Sequence, residues 1–247
     1  MDAKSVGCFG QKKWHIWDMK AQPLPDKLVP VYQLAQVARI VGCNPATLRA
    51  WVRGRNYVSG GKTHRANPMF ATTSKPRGLL TFIDLAEAHM LHLIRKGYGI
   101  PMKNFRAAMD YLRGIDGNLH FLAHQDFVHD KKHLYLRGDQ KLISLSERGQ
   151  HVDATIISEG LRQLLYGEDG YADRFFPTIG GKVQNTVMIT PRIGYGQPTI
   201  ARLGVNTEAI YSRFHSGEHL ADLATDYGAT PEELEEALRC TRELVCA

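Results

Sequence analysis

The sequence predicts a mainly α-helical fold with a minor β component: a basic helical head, a β-rich connector and a small acidic tail. Three observations carry this. Apolar residues recur at helical spacing in glycine-punctuated stretches near both ends, whereas residues 115–147 read as strands. No acid occurs in residues 27–83. With 247 residues, 43% hydrophobic and 23% charged, the chain can bury a core and is long enough for one large domain or two small ones.

Residues 1–27, with Pro23 and Pro25 and no sustained period, read as an N-terminal arm. In residues 28–114, Leu34, Val37, Ala38 and Val41 mark a first helix face, and Gly42 breaks the run. Asn44-Pro45 restarts it, with an N-cap and a proline at the first helical position. Leu48, Trp51 and Val52 form the inner face of that second helix. Residues 54–80, rich in glycine and proline, hold candidate strands at Asn56–Ser59 and Leu79–Phe82. Thr81 with Asp84 three residues on resembles a capping box, opening a helix that Gly97 and Gly99 should stop. Pro101 starts another, ending at Gly114.

In residues 115–182, KHLYLRGDQKLISLS reads as a hairpin around Gly138-Asp139. A helix is expected over about Gln150–Leu165, and Tyr166–Lys182 reads as a loop-rich junction. In residues 183–247, two short strands flank the Gly194/Gly196 turn. Three helices follow: from the Asn206 cap to Gly217, over about Glu218–Tyr227 to Gly228, and from Thr230-Pro231-Glu232-Glu233 onward.

The net charge of +6 conceals an asymmetry. Residues 1–117 hold 18 lysines and arginines against 7 acids, and residues 118–247 hold 13 against 18. Between Asp26 and Asp84 lie nine basic residues and no acid, a positive field suited to phosphate. No run of about 18 apolar residues occurs, so no membrane contact is expected. The N-terminus lacks the apolar stretch of a secretory signal, and Cys8, Cys43, Cys240 and Cys246 form no CxxC pair. These features predict reduced thiols in a cytoplasmic protein.

The first helix pair fits a helix-turn-helix, with Ala38 at the crossing, Gly42 at the turn and Val37, Val41, Leu48 and Trp51 locking the helices. With Leu48 inward, Arg49, Arg53, Ala46 and Ala50 face outward, two long cations beside two side chains small enough to admit a groove. The expected contact set for double-stranded DNA is Thr47, Arg49, Arg53, Arg55, Tyr57, Lys62 and Arg65. Residues 31–113, from VARIVGCNPATLRAWVRGR through the glycine- and lysine-rich loop to LTFIDLAEAHMLHLIRKGYGIPMKNFRAAMDYL, resemble a MerR-type winged helix-turn-helix. They depart from it in a longer wing (56–80), and neither a dimerisation coiled coil nor a sensor cysteine follows.

The tail resembles a second family. Pro191, Gly196, Pro198, Ile200, Ile210, Arg213, Gly217, Glu218, Leu223, Ala224, Asp226 and Tyr227 match the small domain, formerly of unknown function, of VapB-like antitoxins. The resemblance implies a DNA-binding antitoxin that neutralises a PIN-like ribonuclease toxin and represses its own operon. From the residues alone, Leu223, Ala224, Tyr227, Gly228 and Leu234 repeat the spacing of Val37, Ala38, Val41, Gly42 and Leu48. This second pair is acidic, with nine acids against three arginines from Glu208 to Glu243, so it suits protein contact rather than phosphate. A homodimer is expected, with an interface at Ile210, Arg213, Phe214, Leu220, Leu223 and Tyr227.

Two alternatives stay open at this point: a MerR-like regulator answering a small-molecule effector, and an RNA-processing or nuclease enzyme. The latter has little support, since no phosphate-binding glycine loop, nucleophile elbow or carboxylate cluster is present. No catalytic residue, cofactor or metal is expected. His120, His124, His129 and His133 are closely spaced, but in a segment of mixed loop and strand that spacing presents no common face.

Overall fold

A computed structural model describes residues 26–69, 78–98, 106, 109–110, 120–125, 127–129, 134–138, 141–144 and 160–245. The arm up to residue 25, most of the helix expected from Pro101 and most of that expected over Gln150–Leu165 lie outside the described residues.

The head begins with α1 (Leu34–Val41) and α2 (Pro45–Arg53). Gly42 ends α1 in the left-handed region, at φ 73°, with its N–H on the Ala38 and Arg39 carbonyls, and the Cys43 N–H returns to Ala38 at 2.9 Å. The Asn44 side chain accepts from the Ala46 N–H at 2.8 Å and starts α2. Leu48 and Trp51 are buried against α1. A hairpin follows, β1 (Arg55–Ser59) paired antiparallel with β2 (Lys62–Ala66). Its turn is Gly60-Gly61, both at positive φ, which matches the right-handed twist of the strands.

The strand expected at Leu79–Phe82 is a single bridge between Leu80 and Tyr32, and Phe82 opens α3 (Phe82–Tyr98). The reason is the expected capping box. Asp84 accepts from the Thr81 N–H at 2.8 Å, and the Asp84 N–H donates to Thr81 Oγ1 at 3.1 Å. The helix runs through Gly97 instead of stopping there. From Phe82 to Leu91 every α3 residue is buried, so packing on all sides holds it.

The connector differs from its sequence reading. Leu164, expected in a helix, lies in β6 (Leu164–Tyr166), paired with β7 (Ala172–Phe175). The expected junction at Tyr166–Lys182 is thus about half strand, continuing into the hairpin β8 (Thr178–Ile179) and β9 (Lys182–Val183). Earlier in the chain, β3 (Phe127–His129), β4 (Leu134–Gly138) and β5 (Lys141–Ser144) form a three-stranded sheet that contains the expected hairpin around Gly138. The glycines of 166–182 supply turns, while Ala172, Phe175, Phe176 and Ile179 are buried.

Past β10 (Val187–Met188) and β11 (Thr199–Ile200), which pair across the Gly194–Gly196 turn, come α4 (Thr207–His215), α5 (Leu220–Tyr227) and α6 (Pro231–Cys240). All three expected helices are present, and their own small core holds Ile200, Ile210, Leu223, Leu234 and Ala237. A larger core runs from Tyr32 through α3 and the connector strands to Cys240 and Leu244. A π turn at Thr241–Val245 leads back to α1, where Arg39 Nη1 donates to the Val245 carbonyl at 3.1 Å. Lys27 ties down the entry to the head, with its ammonium 2.8 Å from Asp169 and 3.6 Å from Asp173. Among the described residues no helix is long and apolar enough to cross a membrane.

Candidate nucleic-acid interface

The outer face of α2 follows from which side chains α1 captures. With Leu48 and Trp51 turned inward, Arg49, Arg53 and Ala46 are exposed, and Thr47 and Ala50 are half-buried beside them. The adjoining hairpin is exposed over nearly its whole length. Its register sets Tyr57 against His64, whose rings stack at 5.4 Å and 26°, and Ser59 against Lys62. Strand alternation puts Arg55, Tyr57, His64 and Lys62 on one face and Arg65 on the other.

Electrostatics separates this surface from the tail. Among the described residues, Arg49, Arg53, Arg55, Lys62 and Arg65 form no ion pair. In the tail, Arg202 meets Glu233 at 2.7 Å, Arg213 meets Asp226 at 2.6 Å and Arg239 meets Glu236 at 3.0 Å. Partly exposed pairs like these add little stability, but they cancel charge that would otherwise reach a polyanion. The head's cations keep theirs.

Sequence reasoning gave Arg106 no role. Its guanidinium donates to the Asn67 carbonyl beyond β2, and its pKa is lowered by burial and then by the like charge of Arg55. Arg106 therefore joins the hairpin's positive surface. Only the approach of Arg106 to Asn67 in the fold reveals this, and no local spacing signals it. His64 was missed too, and its position opposite Tyr57 depends on the hairpin register.

The tail repeats the head's geometry. Gly228 ends α5 at φ 61°, the Ala229 N–H returns to Ala224 at 3.0 Å, and Thr230 caps α6 in a capping box with Glu233. At the places of Ala46, Thr47, Arg49 and Arg53 stand Glu232, Glu233, Glu235 and Arg239. The Glu232 pKa is lowered by hydrogen bonds to the backbone and to Thr230, so its charge is held at the helix start.

The expected dimer interface needs correction. Ile210 and Leu223 are fully buried in the tail's own core and offer no surface to a partner. Arg213 is engaged by Glu218 and Asp226 and lies over the Tyr227 ring at 5.1 Å, so both serve the tail's internal packing. Leu220 is half-buried, and Phe214, 39% exposed, is the one residue of that set presented outward.

The buried ionisable groups have structural partners. Asp84 caps α3, and burial raises its pKa. His120 Nδ1 lies 3.2 Å from Glu87 Oε2, while His124 packs edge-on against Tyr171. Cys43 and Cys240 are free thiols, and burial pushes Cys240 up to about 12.

Residues 30–109 match a family model described as "Putative DNA-binding HTH domain", and residues 187–239 match "Protein of unknown function (DUF433)". The chain is 29% identical over 227 residues to "Putative antitoxin VapB45" of Mycobacterium tuberculosis, covering 85% of this chain and 93% of that protein. It is 25% identical over 232 residues to "Uncharacterized protein Rv2308" of the same organism, covering 92% and 95%. Its fold is similar to the crystal structure of Rv2018 from M. tuberculosis, with TM-score 0.58, 24% identity, and 85% and 98% of the two chains covered.

Proposed function

We propose that this chain is a DNA-binding antitoxin of a type II toxin–antitoxin pair, acting in the cytoplasm, where it represses its own operon and neutralises a PIN-like ribonuclease toxin. The observation that carries the DNA half is the run of exposed cations on α2 and the β1/β2 hairpin that form no ion pair among the described residues, set against a tail in which Arg202, Arg213 and Arg239 are paired. The toxin half rests on similarity along most of the chain to a protein named as an antitoxin.

In this reading α2 enters the major groove and β1/β2 acts as the wing. Arg49, near the start of α2, reads guanine edges with Thr47 beside it, while Arg53, Arg55, Lys62 and Arg65 hold phosphates and Tyr57 packs on the backbone. A homodimer supplies two half-sites, with Phe214 at its contact in place of the buried Ile210 and Leu223. The acidic face at Glu232 and Glu235 is the surface offered to a protein partner.

The test is binding of the full chain to DNA from upstream of its own gene and to scrambled DNA, across a salt series. Arg49→Ala should lose about 1–3 kcal/mol of discrimination. Lys62→Ala should weaken both DNAs alike and shallow the salt slope by about one. If Arg49→Ala leaves both affinities unchanged, α2 is not the reading element. Co-expression with the product of the adjacent gene should yield a complex without ribonuclease activity, and failure to form one sinks the toxin half alone.

A further inference from the structure

A cleft of about 1090 Å³ opens between the C-terminal end of α1, α3 and the β8/β9 hairpin. Four cations line it from separate elements: Arg39 on α1, Lys96 on α3, Arg162 ahead of β6 and Lys182 in β9. None of its described lining residues is acidic. Like charges converging without a counter-charge repel one another, and an anion relieves that repulsion. Arg39 spends one N–H on the Val245 carbonyl and keeps other donors. His92 also lines the cleft, and its pKa is lowered by burial and then by the like charges of Lys96 and Arg95.

The rest of the cleft is not merely a charged surface. Ile40, Leu93 and Phe176 are buried apolar residues in its walls. His89 also lines it, only 3% exposed. Its Nε2 lies 2.9 Å from the Gly160 carbonyl and is therefore the protonated nitrogen. Nδ1 is then an acceptor, and it has no hydrogen-bond partner among the described residues. A buried acceptor left unpaired is costly, so such a group in a cleft wall is suited to a ligand's N–H or O–H. Cations for phosphate, an apolar wall for a planar ring and an acceptor for a ring amine occur together in a space of small-molecule size.

We propose that this cleft binds a nucleoside phosphate, with its phosphates on Arg39, Lys96, Arg162 and Lys182, its base against Phe176, and a base N–H on His89. The site is separate from the DNA-reading surface and does not depend on the antitoxin reading. Its wall includes Val41 and Gly42, so the ligand would touch the turn of the first helix pair.

The experiment is calorimetric titration of the full chain with ATP, GTP, adenosine and inorganic triphosphate. ATP or GTP should bind saturably, with Kd below about 1 mM. The double variant Arg162→Ala/Lys182→Ala changes exposed side chains only, so its circular dichroism should match the parent. It should lose about tenfold or more in nucleotide affinity through two missing charge-assisted contacts. Lys62→Ala/Arg65→Ala should bind the nucleotide as the parent does. Three results would overturn the proposal: no saturable nucleotide binding, an equal loss in Lys62→Ala/Arg65→Ala, or triphosphate binding as tightly as ATP. The last would leave a cation cluster with no use for the apolar wall or His89.

Discussion

Gly196→Ala probes the joint between head and tail, and its cost can be worked from three contacts. Tyr32 is fully buried, and its hydroxyl donates to the Gly196 carbonyl at 2.8 Å. Gly196 sits at φ +77°, and a Cβ there would lie 2.3 Å from the Tyr32 hydroxyl and 3.0 Å from Cζ. An L-residue at such a φ costs about 1–2 kcal/mol. Relieving the contact requires the Tyr32 ring to move, which breaks the hydrogen bond and strands a buried acceptor, costing about 1–3 kcal/mol more. The substitution should therefore destabilise the protein by about 2–5 kcal/mol. Tyr32→Phe alone strands the same acceptor and should cost about 1–3 kcal/mol. In the Tyr32→Phe background the nearest obstacle and the hydrogen bond are already gone and only the 3.0 Å contact with the ring carbon remains, so Gly196→Ala adds little beyond the backbone term. The double-mutant cycle should thus show coupling of about 1–3 kcal/mol, less than additive. Urea unfolding of the four proteins at constant m-value measures it. An additive cycle would refute the argument that this contact carries the cost.

Leu48→Ala, which opens a cavity between α1 and α2, should cost about 2–5 kcal/mol in the same urea assay. Thr230→Ala removes the capping box of α6 and should cost about 1 kcal/mol while leaving DNA affinity unchanged, measured by denaturation beside a binding titration. Burial holds His89 down to about 4 against an ordinary 6.5, so the unfolded chain takes up the extra proton between those values. Stability should accordingly fall as pH drops from 6.5 toward 4, by at most about 1.4 kcal/mol per unit. Asp84, whose pKa is raised by burial, contributes a slope of opposite sign, so the His89 share is the difference between the parent and His89→Gln. Identical slopes in the two proteins would count against it.

Local chemistry made the helix ends legible in the sequence. Gly42 and Gly228 can take positive φ, Asn44, Asn206 and Thr230 can accept backbone N–H groups, and Thr81 with Asp84 can do so reciprocally. Each is a bond between residues a few positions apart, so the residues that make it stand together in the chain. The charge division was legible for the same reason, since an acid-free run of residues needs no fold to be seen. The β1/β2 hairpin was only half read, because Asn56–Ser59 reads as a strand while its partner depends on the Gly60-Gly61 turn. Tertiary structure decided whatever depended on distant segments. Leu164 became a strand residue because Phe175 offered it a partner, against its helical neighbourhood. Ile210 and Leu223 became core because α6 covers them with Leu234, where the sequence showed only apolar residues on short helices. The cleft gathers Arg39, Lys96, Arg162 and Lys182 from four distant positions, and Arg106 meets Arg55 across half a hundred residues. Burial and convergence depend on which surfaces meet, and a one-dimensional pattern carries propensity and period but not the identity of the facing surface.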